Sequence, residues 1–348
     1  MKKLTLLALL ALALPAHAVQ YWLYDPGAKT LTLSDDSGAP CTPVAVYNVS
    51  SETSGSSRLV KNGGNQIPYE GCVYGGATFD FTLPIKDAEG NAFTLVKIGD
   101  EGNGFSGFNY VGAVKTPDSL EYLGTGAFRN AKYLRSFEFP ENPAGLQFVG
   151  DSVFINCERL ECLEWPSSIS TMKGYVCYNT GISGVCFPAV TNIGANAFTV
   201  TPNLRSVEFG GAAGQTIVFK PQAFQNQGMT IKTILFHEAT PDLADGFVNG
   251  GNNFLDHVGF NGLVVYIPMN AAKTGPSEAW SAWATNYLEA FTGKNGGSST
   301  FSFPTKNQDG TWTDGSWYHH ASYFPARKTY VVRYWDPDSA TTSALLAY

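Results

Sequence analysis

Few residues in this chain could do chemistry, and their spacing decides what kind. Beyond residue 18 the histidines are His237, His257, His319 and His320. In a strand the adjacent His319 and His320 point to opposite faces. No H-x-x-x-H, H-E-x-x-H or G-x-S-x-G run is present, so neither a histidine-pair zinc site nor a serine on a nucleophile elbow can be read. Asp336-Pro337-Asp338 offers two carboxylates, but the glycine and distal glutamate of a helix-flanked calcium loop are missing, and the run reads as a turn. Gly102-Asn103-Gly104 and Gly210-Gly211 do not begin the G-x-x-x-x-G-K run of a phosphate loop. The expectation is a chain with no catalytic set, no metal and no cofactor.

Six cysteines, Cys41, Cys72, Cys157, Cys162, Cys177 and Cys186, all follow residue 18. An even number suggests disulfides if the chain is exported. Export is what the N-terminus predicts: Lys2 and Lys3, an apolar run over Leu4–Leu14, and Ala16-His17-Ala18 as the cleavage signal. That run is shorter than the about 20 residues needed to span a bilayer, and no later run is long enough. Cleavage after Ala18 takes the net charge from −7 to −9 by removing Lys2 and Lys3. An acidic chain argues against nucleic acid as a partner, because phosphate backbones reward basic patches.

The positioning elements are repeated. Leu120–Pro140 (LEYLGTGAFRNAKYLRSFEFP) is followed by Leu146–Pro166 (LQFVGDSVFINCERLECLEWP), almost residue for residue. A small-then-aromatic pair anchors each copy: Gly104-Phe105, Ala127-Phe128, Val153-Phe154, Ala197-Phe198 and Ala223-Phe224, with Val176-Cys177 in the third full copy. The anchors are 23, 26, 23, 21 and 26 residues apart. An apolar-x-x-apolar piece precedes each anchor and a strand follows it, as at Leu134–Phe139, Leu160–Trp165, Ile182–Phe187, Leu204–Phe209 and Ile231–Phe236. Pro140, Pro166 and Pro188 close three of these strands, since proline has no N–H to donate to a ladder. Asn130, Asn156, Asn179 and Asn226 stand two residues after the anchor, where asparagine suits a turn. A unit of this kind cannot bury its apolar side alone and must stack on its neighbours.

The unit LxxIGxxAFxxCxxLxxVxFP resembles the BspA-like subclass of bacterial leucine-rich repeats. Its parts stand as Leu120, Leu123-Gly124, Ala127-Phe128, Leu134, Phe137 and Phe139-Pro140, and again as Val190, Ile193-Gly194, Ala197-Phe198, Leu204, Val207 and Phe209. Only Cys157 matches the family cysteine, and Lys173 and Lys220 replace the glycine after the first strand. The resemblance implies a mainly β leucine-rich-repeat solenoid and a role in protein–protein contact or adhesion at the surface. The expected organisation is a signal peptide (1–18), a β-rich cap (19–92), and the solenoid with a capping helix (93–292). A Gly/Ser linker (293–299) and an aromatic β tail (300–348) complete it. Ser277–Phe291 reads as that helix, with Trp280, Trp283, Tyr287 and Phe291 on one face and Ser277 as N-cap.

Aligned strands put Arg135, Glu161, Ser183, Arg205 and Lys232 in one outward row. Ser136, Cys162, Gly184, Ser206 and Thr233 form a second, and Glu138, Glu164, Cys186, Glu208 and Leu235 a third. From these rows Arg135, Ser136, Glu138, Glu161, Glu164, Arg205, Ser206, Glu208 and Lys232 are the candidate binding face for a protein partner, because solenoids bind through such surfaces. Cys41 and Cys72 share the N-terminal module and form the natural disulfide pair. Cys157 and Cys177 lie in the turns of adjacent repeats and either bridge them or fill core space as thiols. The tail's Trp312, Trp317, Tyr318, Tyr323 and Phe324 leave a second reading, a glycan partner stacked on exposed rings, against the alternative that they are the core of a small β unit. An even shorter signal is that Tyr334-Trp335-Asp336-Pro337 echoes Tyr21–Pro26 (YWLYDP).

Overall fold

The computed structural model describes residues 20–25, 27, 30–35, 49–53, 58–61, 74–99, 104–225, 230–243, 263–291, 299–319 and 328–337. The N-terminal signal-type segment, Cys41, Cys72, Asn226, His257, His320, Tyr323, Phe324 and most of the 293–299 segment lie outside these. The strands, in chain order, are β1 (Gln20–Asp25), β2 (Thr30–Asp35), β3 (Val49–Thr53), β4 (Arg58–Lys61), β5 (Ala77–Asp80), β6 (Ile85–Lys86), β7 (Ala92–Ile98), β8 (Val111–Lys115) and β9 (Tyr122–Leu123). Next come β10 (Ser136–Glu138), β11 (Phe148–Val149), β12 (Cys162–Glu164), β13 (Thr171–Met172), β14 (Gly184–Phe187), β15 (Asn192–Ile193), β16 (Ser206–Phe209), β17 (Thr216–Phe219), β18 (Thr233–Phe236) and β19 (Thr240–Pro241). The last are β20 (Val264–Pro268), then helix α1 (Glu278–Phe291), then β21 (Thr300–Ser302), β22 (Thr305–Lys306), β23 (Trp312–Thr313), β24 (Gly315–His319) and β25 (Lys328–Trp335).

Each repeat contributes one strand to each of two layers. The main layer is an 11-stranded sheet in the order β21-β24-β25-β20-β18-β16-β14-β12-β10-β8-β5. From β5 to β25 every neighbouring pair is parallel, as it must be when each repeat returns the chain to the same side before starting the next strand. The inward residue of each rung falls in one buried column: Phe79, Val114, Phe137, Leu163, Val185, Val207, Ile234, Val265 and Val332. The second layer is built from the apolar-x-x-apolar pieces. It pairs β7-β9-β11 and β13-β15-β17-β19 in parallel, burying Ile98, Leu123, Val149, Met172, Ile193 and Phe219.

The anchors fill the space between the layers. Phe105 stacks on Phe128 at 5.1 Å and Phe198 on Phe224 at 4.9 Å, the offset contact that aromatic quadrupoles favour. The turns on either side are held in the left-handed region at two fixed places. Two residues before the anchor stand Gly126, Ser152, Tyr175, Asn196 and Gln222, with φ between 55° and 64°. Two residues after it stand Gly107, Asn130, Asn156, Asn179 and Val200, with φ between 54° and 70°. The asparagines do more than tolerate this geometry. Asn156 Nδ2 donates to Asn130 Oδ1 at 2.7 Å and Asn179 Nδ2 to Asn156 Oδ1 at 3.0 Å, a side-chain ladder running with the backbone one. Close approach fixes the glycine after the first strand: a Cβ on Gly194 would lie 2.4 Å from the Lys173 carbonyl carbon.

Both ends are closed by tryptophan. At the first rung, Trp22 is buried, stacks on Phe81 at 5.2 Å and donates its indole N–H to Asp80 O. At the other end, Trp335 is buried and donates to Phe236 O. The short YW echo places Trp22 on β1 and Trp335 on β25, each donating to a backbone carbonyl of the main sheet. Helix α1 adds Trp280 and Trp283, whose indoles donate to His237 O and Pro241 O. Ser277 directly precedes this helix; its backbone carbonyl accepts from Ser281 N, but its buried hydroxyl makes no hydrogen bond among the described residues, so it does not act as the side-chain cap the sequence suggested.

Strands β21, β24 and β25 of the expected tail belong to the main sheet, while β22 and β23 pair with each other in a separate two-stranded sheet. β25 pairs in parallel with β20 over Val264–Pro268 and antiparallel with β24. Trp317 and Tyr330 are buried, and Trp317 packs edge-on against Trp283 and Tyr287 of α1 at 5.2 and 5.5 Å. The N-terminal module is tied in similarly: β5 pairs with β8, and Tyr74 stacks between Tyr110 and Tyr133, each at 5.0 Å.

Candidate interaction surface

The outward face of the main sheet carries the expected rows in the expected register. Ser136 pairs with Cys162, Cys162 with Gly184, Gly184 with Ser206, and Ser206 with Thr233. Glu164 pairs with Cys186, Cys186 with Glu208, and Glu208 with Leu235. Just before the strands, Glu161 N donates to Arg135 O, Ser183 N to Glu161 O, Arg205 N to Ser183 O, and Lys232 N to Arg205 O, so the first row is also a continuous ladder.

Exposure is not uniform along this face. Arg135, Glu138, Glu161, Glu164 and Lys232 are exposed, and Ser136, Arg205 and Glu208 are half-buried. Ser206 is buried; its hydroxyl leans over Gly184, the one position in its row without a side chain, where a Cβ would come within 2.8 Å of it. Arg205 is drawn back by its own guanidinium, which donates to Pro202 O at 2.9 Å. Thr233 and Leu235 at the far end are buried. The accessible part of the face is thus centred on β8, β10, β12 and β14. Lys115 and Glu138 form an ion pair across it at 3.3 Å, an exposed pair of the kind that adds little stability.

Three groups meet at the end of the third row, and sequence reasoning did not bring them together. Cys186 lies beside Glu208, and Glu208 Oε1 is 2.7 Å from His237 Nε2. His237 is itself held edge-on against Trp335 at 4.7 Å. The order of the three decides their chemistry. Nucleophile activation needs the imidazole between thiol and carboxylate, where it can take the thiol proton. Here the carboxylate is in the middle. Burial first, and the Glu208 charge second, push the Cys186 thiol up to about 12, so it stays protonated and unreactive at neutral pH. The alignment of rows placed Cys186 against Glu208, but His237 follows its strand and carries no repeat signal.

Cys157 and Cys177 are free thiols, both fully buried. Cys157 Sγ donates to Phe128 O at 3.2 Å, and Cys177 fills the place that phenylalanine takes in other repeats. Burial raises both thiols well above their ordinary range. Of the two readings left open for this pair, thiols filling core space describe the structure. Cys41 and Cys72 lie outside the described residues. Of the tail aromatics, Trp317 is in the core, while Trp312 is half-exposed with Tyr334 edge-on to it at 4.9 Å. Among the described residues no group of three or more His, Cys, Asp or Glu could hold a metal ion. No helix there is long and apolar enough to cross a membrane, which says nothing of crossing by strands.

A family model agrees with the repeat pattern. The model of the BspA type leucine rich repeat region matches six copies over residues 100–230. Among solved structures, a leucine-rich repeat protein from Bacteroides ovatus ATCC 8483 is 14% identical with a TM-score of 0.37, over 63% of this chain and 70% of that one. The T. pallidum leucine rich repeat protein is 19% identical with a TM-score of 0.42, over 60% of this chain and 87% of that one. No curated protein matches the chain.

Proposed function

We propose that the chain, whose residues 100–230 match the model of the BspA type leucine rich repeat region, is an exported, non-enzymatic protein that binds a protein partner at the cell surface through the outward face of its main sheet. The observation that carries this reading is the unbroken parallel ladder from β5 to β25. It sets charged and polar side chains in rows on a stiff surface, which is how solenoids present an interface. The export step rests on Lys2, Lys3, the Leu4–Leu14 run and cleavage after Ala18, and cell fractionation tests it. Repeats of this type typically bind proteins, and the order of Cys186, Glu208 and His237, with the carboxylate in the middle, does not suit a nucleophile.

The test uses exposed members of the face. Capture of partners from envelope and host extracts by the full chain is compared with capture by a variant carrying Arg135→Glu, Glu161→Lys and Lys232→Glu. The expected result is loss of a partner that the unaltered chain recovers. Recovery of the same set of proteins by both would remove the role given to the face.

A further inference from the structure

We infer that a groove over the outgoing ends of β8, β10 and β12 takes an extended cationic segment of a partner protein; this deepens the interaction reading above and rests on it. Two adjoining hollows form the groove, of about 610 and 390 Å³, joined through Glu138, Phe139 and Glu141. The larger one is lined by Phe139, Trp165, Pro140, Pro166 and Pro188, so its wall is largely apolar. The charged groups around both are Asp80, Asp118, Glu138, Glu141 and Glu164, against one cation, Lys115, already paired with Glu138. Two of the carboxylates are fixed in place: Asp80 Oδ1 accepts from Thr82 N at 3.0 Å and Asp118 Oδ1 from Asn142 N at 2.9 Å.

Donor and acceptor chemistry points the same way as charge. The prolines that end the strands have no N–H, and carboxylates only accept. The lining hydroxyls of Thr82 and Thr116 already donate to Asp80 Oδ1 and Glu138 O, so besides Ser136 and Ser167 the groove offers mainly acceptors, which suits lysine or arginine side chains. Its charges are also spread out. Asp80, Glu138 and Glu164 stand on three of four successive rungs, with Lys115 on the remaining one. At about 4.8 Å per rung, four rungs reach roughly 14 Å, the span of about four extended residues. An extended basic segment with small apolar residues between its charges fits this spacing better than a compact ion does.

The test measures fluorescence anisotropy of labelled peptides with alternating Lys-Pro, Gln-Pro or Glu-Pro residues against the full chain. Lys-Pro is expected to bind in preference to the other two, and more weakly as salt rises. Glu141→Gln with Glu164→Gln should weaken it roughly two- to fivefold per carboxylate removed. Glu89→Gln with Glu289→Gln, which removes the same charge elsewhere on the surface, should leave it unchanged. Equal binding of the three peptides, equal loss in the two double variants, or no loss in the groove variant with an unaltered melting curve would each overturn the groove. Arg205→Glu with Lys232→Glu, on the face but outside the groove, separates the two readings. Lys-Pro binding that persists in this variant supports the groove, and if partner capture also survives every face variant, only the face reading falls.

Discussion

At the residue scale the sharpest irregularity is Val200. It occupies the left-handed position two residues after the anchor, with φ 58°, where the corresponding residues are glycine or asparagine. A β-branched residue there is strained by its own Cβ and the following carbonyl. It also breaks the asparagine ladder that links Asn130, Asn156 and Asn179. Val200→Asn is expected to stabilise the chain by about 1 kcal/mol, read as a higher midpoint in chemical denaturation. An unchanged or lower midpoint would contradict the account of this column. The asparagines themselves were legible in the sequence by their recurrence, but the ladder between their side chains was not. Local propensity names a turn; it does not say that successive turns stack within hydrogen-bonding distance. The same gap explains Glu208 and His237, which meet only because one strand end lies over the next.

At the element scale the repeat unit was readable because its apolar positions recur at a nearly constant interval, and the inward column from Phe137 to Ile234 follows from that alignment. Phe128 tests the packing. It is fully buried, in contact with Phe105, Phe137 and Phe154 at 5.1, 5.1 and 6.0 Å. Phe128→Ala should cost about 3–5 kcal/mol, and a circular-dichroism melt that did not move would contradict the register. Helix α1 shows the limit of such reading. Its apolar face, Trp280, Trp283 and Tyr287, is buried as the spacing implied. The indole donations to His237 O and Pro241 O that orient it are tertiary, and so is the burial of the Ser277 hydroxyl away from the helix amides.

At the scale of the whole molecule, sequence composition suggested boundaries that the main sheet runs across. A Gly/Ser stretch reads as a linker because of what it lacks, but composition is silent on whether the strands beyond it return to the same ladder. Here they do, through β25 on β20. Ending the chain at residue 293 would remove β21, β24 and β25, strip Trp317 from Trp283 and Tyr287, and leave β20 as an unpaired edge, an invitation to association. The shortened chain is expected to melt at a lower temperature and to scatter light at concentrations where the full chain stays clear. Equal midpoints and clear solutions would show that the last strands are dispensable.

The two columns of left-handed turns bear on how such a molecule changes length over generations. The four successive rungs β10, β12, β14 and β16 each follow the same pair of turns and make the same inward contact. A duplication of one repeat's worth of coding sequence therefore inserts a shelf that finds familiar shelves above and below. Trp22 and Trp335 have no such freedom, since each is bonded to one particular strand, β5 or β18. Descent by copying is thus open in the middle of the chain and shut at its ends, and the uneven intervals between anchors are where that history would be written.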